Sequence, residues 1–90
     1  MKELLEKMRL MEQEMEELET RADYWMSDEH FDEEKADEYE RRADEIYERL
    51  YRLFDQAAEN IVRITSDRID KVMAMTMIRS RRSEVERIFA

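Results

Sequence analysis

The chain has no glycine and no proline in 90 residues, and this feature restricts its fold more than any other. Glycine and proline are the residues that most often interrupt helices and form tight turns, so a chain without them favours long helices over sheets. Phosphate-binding loops, dinucleotide-binding loops and EF-hand loops all need glycine at fixed positions and are excluded. The chain also has no cysteine, which excludes disulfides, thiolate nucleophiles and cysteine-based zinc sites.

Apolar residues in the first segment alternate spacings of three and four, which is the repeat typical of coiled-coil packing. This first stripe consists of Met1, Leu4, Met8, Met11, Met15, Leu18, Ala22 and Trp25. The pattern predicts a helix over about residues 1–26. Continuing the repeat would bury Glu29 and Asp32, so we expect a turn over about 27–32 in which the chain reverses.

Two residues compete to begin the helix that follows this turn. Ser27 could be the N-cap, with Met26 and Phe31 as the hydrophobic staple around it. Asp32 could equally be the N-cap, with Phe31 and Ala36 as the staple. Any left-handed backbone conformation in this turn must fall on a polar residue, because no glycine is available.

The second predicted helix, over about residues 33–64, carries two apolar stripes. One consists of Ala36, Tyr39, Ala43, Ile46, Leu50, Leu53 and Ala57; the other consists of Tyr47, Tyr51, Phe54, Ala58, Ile61 and Thr65. The first helix has a single stripe and can cover only one of these, so another element or a partner must cover the second. Eight acid-to-base pairs at i,i+4 spacing, including Glu38–Arg42 and Asp67–Lys71, further support the helical assignment.

A third helical segment is predicted over about residues 67–89. Thr65-Ser66-Asp67 could form its N-cap, or the second helix could run on; a bend or short break is favoured. The segment contains the uncharged run 72–78, which covers the whole circumference of a helix and cannot be buried by one neighbour. Two interpretations of this run are equally favoured. It either fills the core or forms a surface for self-association or for a partner. The predicted interface residues are Tyr47, Phe54, Ile61, Val72, Met73, Met75, Met77 and Ile78.

These elements predict an all-α protein with a single helical domain over residues 1–90. The architecture we expect is an antiparallel, coiled-coil-like helical hairpin with a third helical segment. A homodimer that buries the second stripe and the uncharged run would form a helical bundle, and a monomeric three-helix bundle is the alternative.

Charge is divided unevenly along the chain, whose formal net charge is −9. Residues 1–59 carry −12 and residues 60–90 carry +3. Such an acidic chain is repelled by nucleic acid and anionic membranes and attracted to basic protein surfaces. The predicted acidic partner-binding face consists of Glu29, Asp32, Glu33, Glu34, Asp37 and Glu38. This face is either a solvated surface or an imitation of nucleic-acid phosphates that docks in a basic groove.

A basic cluster, consisting of Arg79, Arg81, Arg82 and Arg87, follows the uncharged run. Salt bridging within or between subunits is the favoured interpretation. A nucleic-acid contact is less favoured, because Glu84 and Glu86 interrupt the cluster and no aromatic residues alternate with the arginines. We therefore do not expect direct nucleic-acid binding.

No residue pattern indicates a catalytic, cofactor or metal site. His30 is the only histidine, and Glu33 or Glu34 would give it too few companion ligands for a metal. A thin helical hairpin offers no deep pocket in which a carboxyl pKa could be shifted for catalysis. We expect a protein that is not an enzyme and needs no cofactor.

No apolar run approaches the length of a membrane span, and the first residues are too charged for a secretory signal. We therefore expect a cytoplasmic protein without a membrane contact.

A small, strongly acidic, cysteine-free helical chain with an acidic run from Glu12 to Glu40 resembles the small inhibitors carried by bacteriophages. These include anti-CRISPR and anti-restriction proteins that mimic nucleic acid. The resemblance implies a non-enzymatic, stoichiometric regulator or inhibitor that occupies the basic surface of a protein partner, for example a nucleic-acid enzyme. The alternatives are a small nucleic-acid-binding regulator that uses the basic cluster, and a structural oligomerisation module.

Overall fold

A computed structural model describes residues 1–90, with four helices and no strands. The helices are α1 (Lys2–Trp25), α2 (Glu33–Ile64), α3 (Lys71–Ser80) and α4 (Arg82–Phe89). Helix accounts for 82% of the chain, and α1 and α2 contact each other extensively as a helical hairpin. The predicted all-α hairpin fold is confirmed. None of the four helices combines the length and the apolar character needed to cross a lipid bilayer.

The chain forms two compact units. We call Arg9–Leu50 the hairpin unit, and Met1–Met8 together with Tyr51–Ala90 the terminal unit. The hairpin unit contains the turn between α1 and α2. The terminal unit contains all of α3 and α4.

The core of the hairpin unit is built from the predicted stripes of α1 and α2. Leu18 packs with Ala43 and Ile46, and the half-buried Met11, Met15 and Tyr39 surround them. Alanine at position 43 lets the two helices approach closely, because it has no side chain beyond Cβ. Every residue of the α1 stripe and of the first α2 stripe is buried or half-buried, as the spacing predicts.

The core of the terminal unit contains residues from all four helices. Its fully buried side chains are Leu5, Met8, Ala57, Ala58, Ile61, Ala74, Ile78 and Val85, each at most 1% exposed. Met1 also lies in this unit, where its Sδ accepts a hydrogen bond of 3.5 Å from Nδ2 of Asn60. Leu5 lies outside the predicted stripe, and its burial reflects the larger number of helices that surround α1 in this unit.

The interface assignment of Ile61 and Ile78 is wrong, because both side chains are completely buried within the chain. Ile78 and Ala74 are four residues apart and lie on the buried side of α3. Ile61 belongs to the part of the second α2 stripe that the terminal unit encloses. Both residues stabilise the fold and neither is available to a partner.

The break after α2 depends on two non-glycine residues with left-handed backbone conformation, Ser66 (φ 51°) and Asp67 (φ 64°). The N–H of Asp67 donates to the carbonyl of Val62 at 3.0 Å, and the N–H of Ser66 donates to the carbonyl of Arg63 at 3.1 Å. This pair of hydrogen bonds is the Schellman motif, which ends helices and usually has glycine where Ser66 stands.

Asp70 is the N-cap of α3, and its Oδ1 accepts a hydrogen bond of 2.8 Å from the N–H of Met73. The proposed cap at Thr65-Ser66-Asp67 is therefore wrong, because those residues end α2. The predicted segment 67–89 is also divided. Arg81 leaves the helical conformation (φ −134°, ψ 45°) between α3 and α4 and donates its N–H to the carbonyl of Met77 at 2.7 Å.

Candidate partner-binding surfaces

The turn between α1 and α2 is closed by a backbone hydrogen bond of 2.8 Å from the N–H of Asp32 to the carbonyl of Trp25. Asp32 also caps α2, because its Oδ1 accepts from the N–H of Lys35 at 3.1 Å. Ser27 instead ends α1, donating its hydroxyl to the carbonyl of Tyr24 at 2.8 Å. Of the two caps that the sequence allows, the structure uses Asp32. No residue of this turn has a positive φ.

Aromatic contacts further hold the turn in one conformation. The ring of Tyr24 stacks on His30 at 4.7 Å and meets the ring of Trp25 edge-on at 5.0 Å. The Nζ of Lys35 lies 4.2 Å from the centre of the Trp25 ring, within the range of a cation–π interaction. His30 is thus a stacking partner of Tyr24 at the surface of the turn.

The predicted acidic face lies at this turn and in the first part of α2. Its members Glu29, Glu33, Glu34, Asp37 and Glu38 are exposed, and Asp32 is half-buried by its capping role. Glu38 pairs with Arg42 at 2.6 Å, but the other five form no ion pair. Lys35, the nearest cation in the sequence, lies over Trp25. Glu38 is therefore the one member of this face that forms an ion pair within the chain.

Net charge also differs in sign between the two units. The hairpin unit has 17 acidic and 6 basic residues, for a formal charge of −11, and the terminal unit carries +2. Two of the six bases, Arg21 and Arg42, have their guanidinium groups 6.0 and 5.7 Å from the centre of the Tyr39 ring.

Three large apolar side chains are exposed among the carboxylates of the turn, and none of them is among the predicted site residues. Phe31 is 62% exposed, Tyr24 49% and Met26 48%. Phe31 does not bury itself as a helix staple, which both proposed caps expected. The signal available in the sequence was the position of Met26 and Phe31, the two apolar residues in a segment (26–32) that is otherwise acidic and polar.

The second stripe of α2 is covered at one end and open at the other. Ala58 and Ile61 are fully buried, and Phe54 is half-buried under the guanidinium of Arg82, 5.0 Å from its ring centre. Tyr47 and Tyr51 are half exposed. Of the predicted interface residues on this stripe, Tyr47 is therefore the one with substantial open surface.

The uncharged run 72–78 divides between core and surface. Ala74 and Ile78 are buried, whereas Val72 is 76% exposed and Met73 is 52% exposed. Met75 and Met77 are half-buried. A shallow depression of about 300 Å³ follows the exposed side and is lined by Val72, Met73, Thr76, Met77, Ser80 and Arg81. The core interpretation therefore holds for Ala74 and Ile78, and the interface interpretation of the exposed residues stays a prediction.

The basic cluster is not presented as one surface. The Nε of Arg82 donates to the carbonyl of Ile78 at 3.0 Å, so this half-buried side chain packs within the fold. Arg81 lies 4.0 Å from Glu84, while Arg79 and Arg87 are exposed. No group of three histidine or carboxylate side chains is arranged to hold a metal ion.

No protein-family model, curated protein or solved structure matches this chain. The geometry and charge of its surfaces are therefore the basis for assigning a function.

Proposed function

We propose that this protein is a stoichiometric, non-enzymatic regulator or inhibitor whose hairpin unit occupies the basic, nucleic-acid-binding surface of a partner protein. The observation that carries the proposal is the formal charge of −11 on Arg9–Leu50. That charge includes the acidic face, whose carboxylates are exposed except for Asp32 and form no ion pair except for Glu38.

Electrostatics explains why such a surface favours a basic partner. In water two like charges 4 Å apart repel by about 1 kcal/mol, and physiological salt screens exposed charges over about 8 Å. Carboxylates gathered at one turn therefore repel each other, and a basic groove would relieve that repulsion. The same field speeds association with a basic partner and disfavours acidic ones.

The exposed apolar residues add contact area to the charge. Phe31 and Met26 lie beside Asp28 and Glu29 in a turn that hydrogen bonds and ring stacking hold in place. Large apolar side chains that are already positioned lose little freedom on binding and often dominate interface energetics. The partner surface that fits this turn combines arginine or lysine residues with an apolar pocket.

The test removes charge from the acidic face without changing side-chain size greatly. The variant carries Glu29→Gln, Glu33→Gln, Glu34→Gln and Asp37→Asn. A matched control removes the same amount of charge from the terminal unit, through Glu3→Gln, Glu6→Gln, Asp67→Asn and Glu84→Gln. Both proteins have the same net charge, so any difference between them reports on the location of the charge.

Immobilised wild-type protein is used to capture proteins from a nuclease-treated bacterial lysate, and duplex DNA is then added as a competitor. We expect a captured protein that duplex DNA displaces, that the control variant retains and that the acidic-face variant loses. Capture that is equal for both variants, or that DNA leaves unchanged, contradicts the proposal. A mobility shift of labelled DNA by the protein itself, lost on Arg79→Gln and Arg87→Gln, would instead indicate a nucleic-acid-binding regulator.

A further inference from the structure

Three aromatic side chains lie at the surface of the turn between α1 and α2. Tyr24 is 49% exposed and Phe31 is 62% exposed, and the exposed His30 ring stacks on Tyr24 with an angle of 20° between the ring planes. Phe31 has no stacking partner within the chain. The ring of Trp25 is half-buried and already lies under the Nζ of Lys35. Phe31 is therefore the apolar ring of this turn with the most open surface.

Hydrogen bonds hold the backbone on both sides of Phe31. The N–H of Asp32 donates to the carbonyl of Trp25 at 2.8 Å, and the N–H of His30 donates to the carbonyl of Ser27 at 3.2 Å. The stacked ring of His30 adds a side-chain contact on one side. A ring that is presented from a positioned backbone loses little freedom on binding, so more of its contact energy contributes to affinity.

Carboxylates flank this ring on both sides along the chain. Asp28 and Glu29 precede Phe31, Glu33 and Glu34 follow it, and all four acidic side chains are exposed. The turn therefore presents an aromatic ring between two groups of negative charge.

Single-stranded nucleic acid offers the same combination to the proteins that bind it. Its phosphates are negative, and its unpaired bases expose flat faces that stack on aromatic side chains or on the guanidinium planes of arginines. A duplex offers its phosphates and its base edges, while stacking within the double helix hides the base faces. A protein that imitates a duplex therefore needs no exposed ring, whereas one that imitates a single strand does.

We propose that the partner groove occupied by the hairpin unit binds single-stranded nucleic acid, and that the Phe31 ring takes the place of an unpaired base in that groove. This inference rests on the proposed function and adds to it the kind of nucleic acid that the protein displaces. Grooves of this kind combine basic residues, which attract the flanking carboxylates, with aromatic side chains on which the Phe31 ring stacks. Duplex DNA also displaces such a partner through its phosphates, but at a higher concentration.

The test uses a column of single-stranded DNA–cellulose and a column of duplex DNA–cellulose, each loaded with proteins from a bacterial lysate freed of nucleic acid. Both columns are washed and then eluted at constant physiological salt with increasing concentrations of the wild-type chain. Because single-strand binding adds base stacking to charge, we expect release of a protein from the single-stranded column at a concentration at least about tenfold lower than from the duplex column. The released protein is identified by mass spectrometry, and its affinity for each variant is measured by competition against labelled single-stranded DNA.

Three substitutions at position 31 separate ring stacking from the burial of apolar surface. Phe31→Trp keeps a flat ring and should bind at least as well as wild type. Phe31→Leu keeps most of the apolar area without the ring, and Phe31→Ser removes both. Stacking of one base on an aromatic ring changes affinity by about 5- to 150-fold, so these two variants should bind at least about fivefold more weakly.

Leu10→Ser is the matched control, because Leu10 is an equally exposed apolar residue of the hairpin unit outside the turn. It should bind as tightly as wild type. Circular dichroism of all four variants should match wild type, since both positions are exposed and contribute little to stability.

The possible results distinguish a failure of this inference from a failure of the proposed function. Preferential release from the duplex column, or equal affinity of Phe31→Leu and wild type, overturns the inference and leaves the proposed function standing. Release of no protein from either column, or full affinity of the acidic-face variant, overturns both.

Discussion

The Nζ of Lys71 lies 2.6 Å from Oδ1 of Asp55, and this ion pair ties the first residue of α3 to α2 within the terminal unit. The hydrogen bond to Asp55 raises the pKa of Lys71 above its ordinary value of 10.5, with a further contribution from Glu59. The i,i+4 pairing of Lys71 with Asp67 suggested by the sequence does not form. Asp67 lies outside the helix with a positive φ, so the two residues do not share a helical face.

The Lys71–Asp55 pair predicts a loss of stability at strongly alkaline pH. Because the folded pKa of Lys71 is raised, its contribution is present below the unfolded pKa of about 10.4 and is lost as pH rises through the folded pKa. The free energy of unfolding of wild type and Lys71→Met should therefore differ at neutral pH and converge above the folded pKa. Added salt should reduce the difference, since the pair is half exposed.

An NMR titration of the Lys71 side chain provides the direct check. Asp55→Asn should move its pKa back toward 10.5, whereas Asp67→Asn should leave it nearly unchanged. A Lys71 ammonium that titrates below 10.5 in the wild-type chain would contradict the structural assignment.

The backbone conformation of Ser66 predicts that a glycine at this position would stabilise the fold. Its backbone is left-handed (φ 51°), a conformation that disfavours residues with a Cβ by roughly 1–2 kcal/mol relative to glycine. Ser66→Gly should therefore raise the free energy of unfolding by about 1 kcal/mol, measured by urea denaturation. Gln56→Gly, at an exposed interior position of α2, should lower it by about 0.5–1 kcal/mol. Equal destabilisation by the two substitutions would disprove the left-handed assignment.

The capping role of Asp32 predicts a larger effect there than at Ser27. Asp32→Ala removes the side-chain acceptor for the N–H of Lys35 and should lower the free energy of unfolding by about 1 kcal/mol. Ser27→Ala removes only an exposed hydroxyl that donates to the carbonyl of Tyr24, and should change it by less than about 0.5 kcal/mol. The reverse order would indicate that α2 begins at Ser27.

The run 72–78 is divided between core and surface. Shortening a buried side chain of this run should therefore destabilise the fold more than shortening an exposed one. Ile78→Val removes one methyl group from a fully buried side chain and should destabilise the chain by about 0.5–1.5 kcal/mol. Val72→Ala removes methyl groups from an exposed side chain and should change stability by less than about 0.5 kcal/mol in the monomer. Measurements at low concentration avoid any contribution from association, and similar losses at both positions would contradict the observed burial.

Short-range patterns were sufficient to predict α1, α2 and the stripes through which they pack, but not the division of residues 67–89 into α3 and α4. Spacings of three and four identify α1 (Lys2–Trp25) and one stripe of α2, because they depend on residues less than two turns apart. The acidic run likewise locates the candidate surface. Which carboxylates of this surface form ion pairs depends on where Lys35 and Arg42 place their side chains, and that required the folded chain.

Other features depend on residues far apart in the sequence. Tyr47 and Ile61 belong to one stripe with one periodicity, yet Tyr47 is half exposed and Ile61 is fully buried. The choice between Ser27 and Asp32 as the cap of α2 likewise follows from a backbone hydrogen bond that joins Asp32 to Trp25 across the turn. Helical periodicity is set by hydrogen bonds to the residue four positions away, whereas burial is set by whichever distant segment covers a side chain. For this reason the sequence alone was enough to predict the stripes. Which residues of those stripes stay exposed was decided only by the packing of the helices.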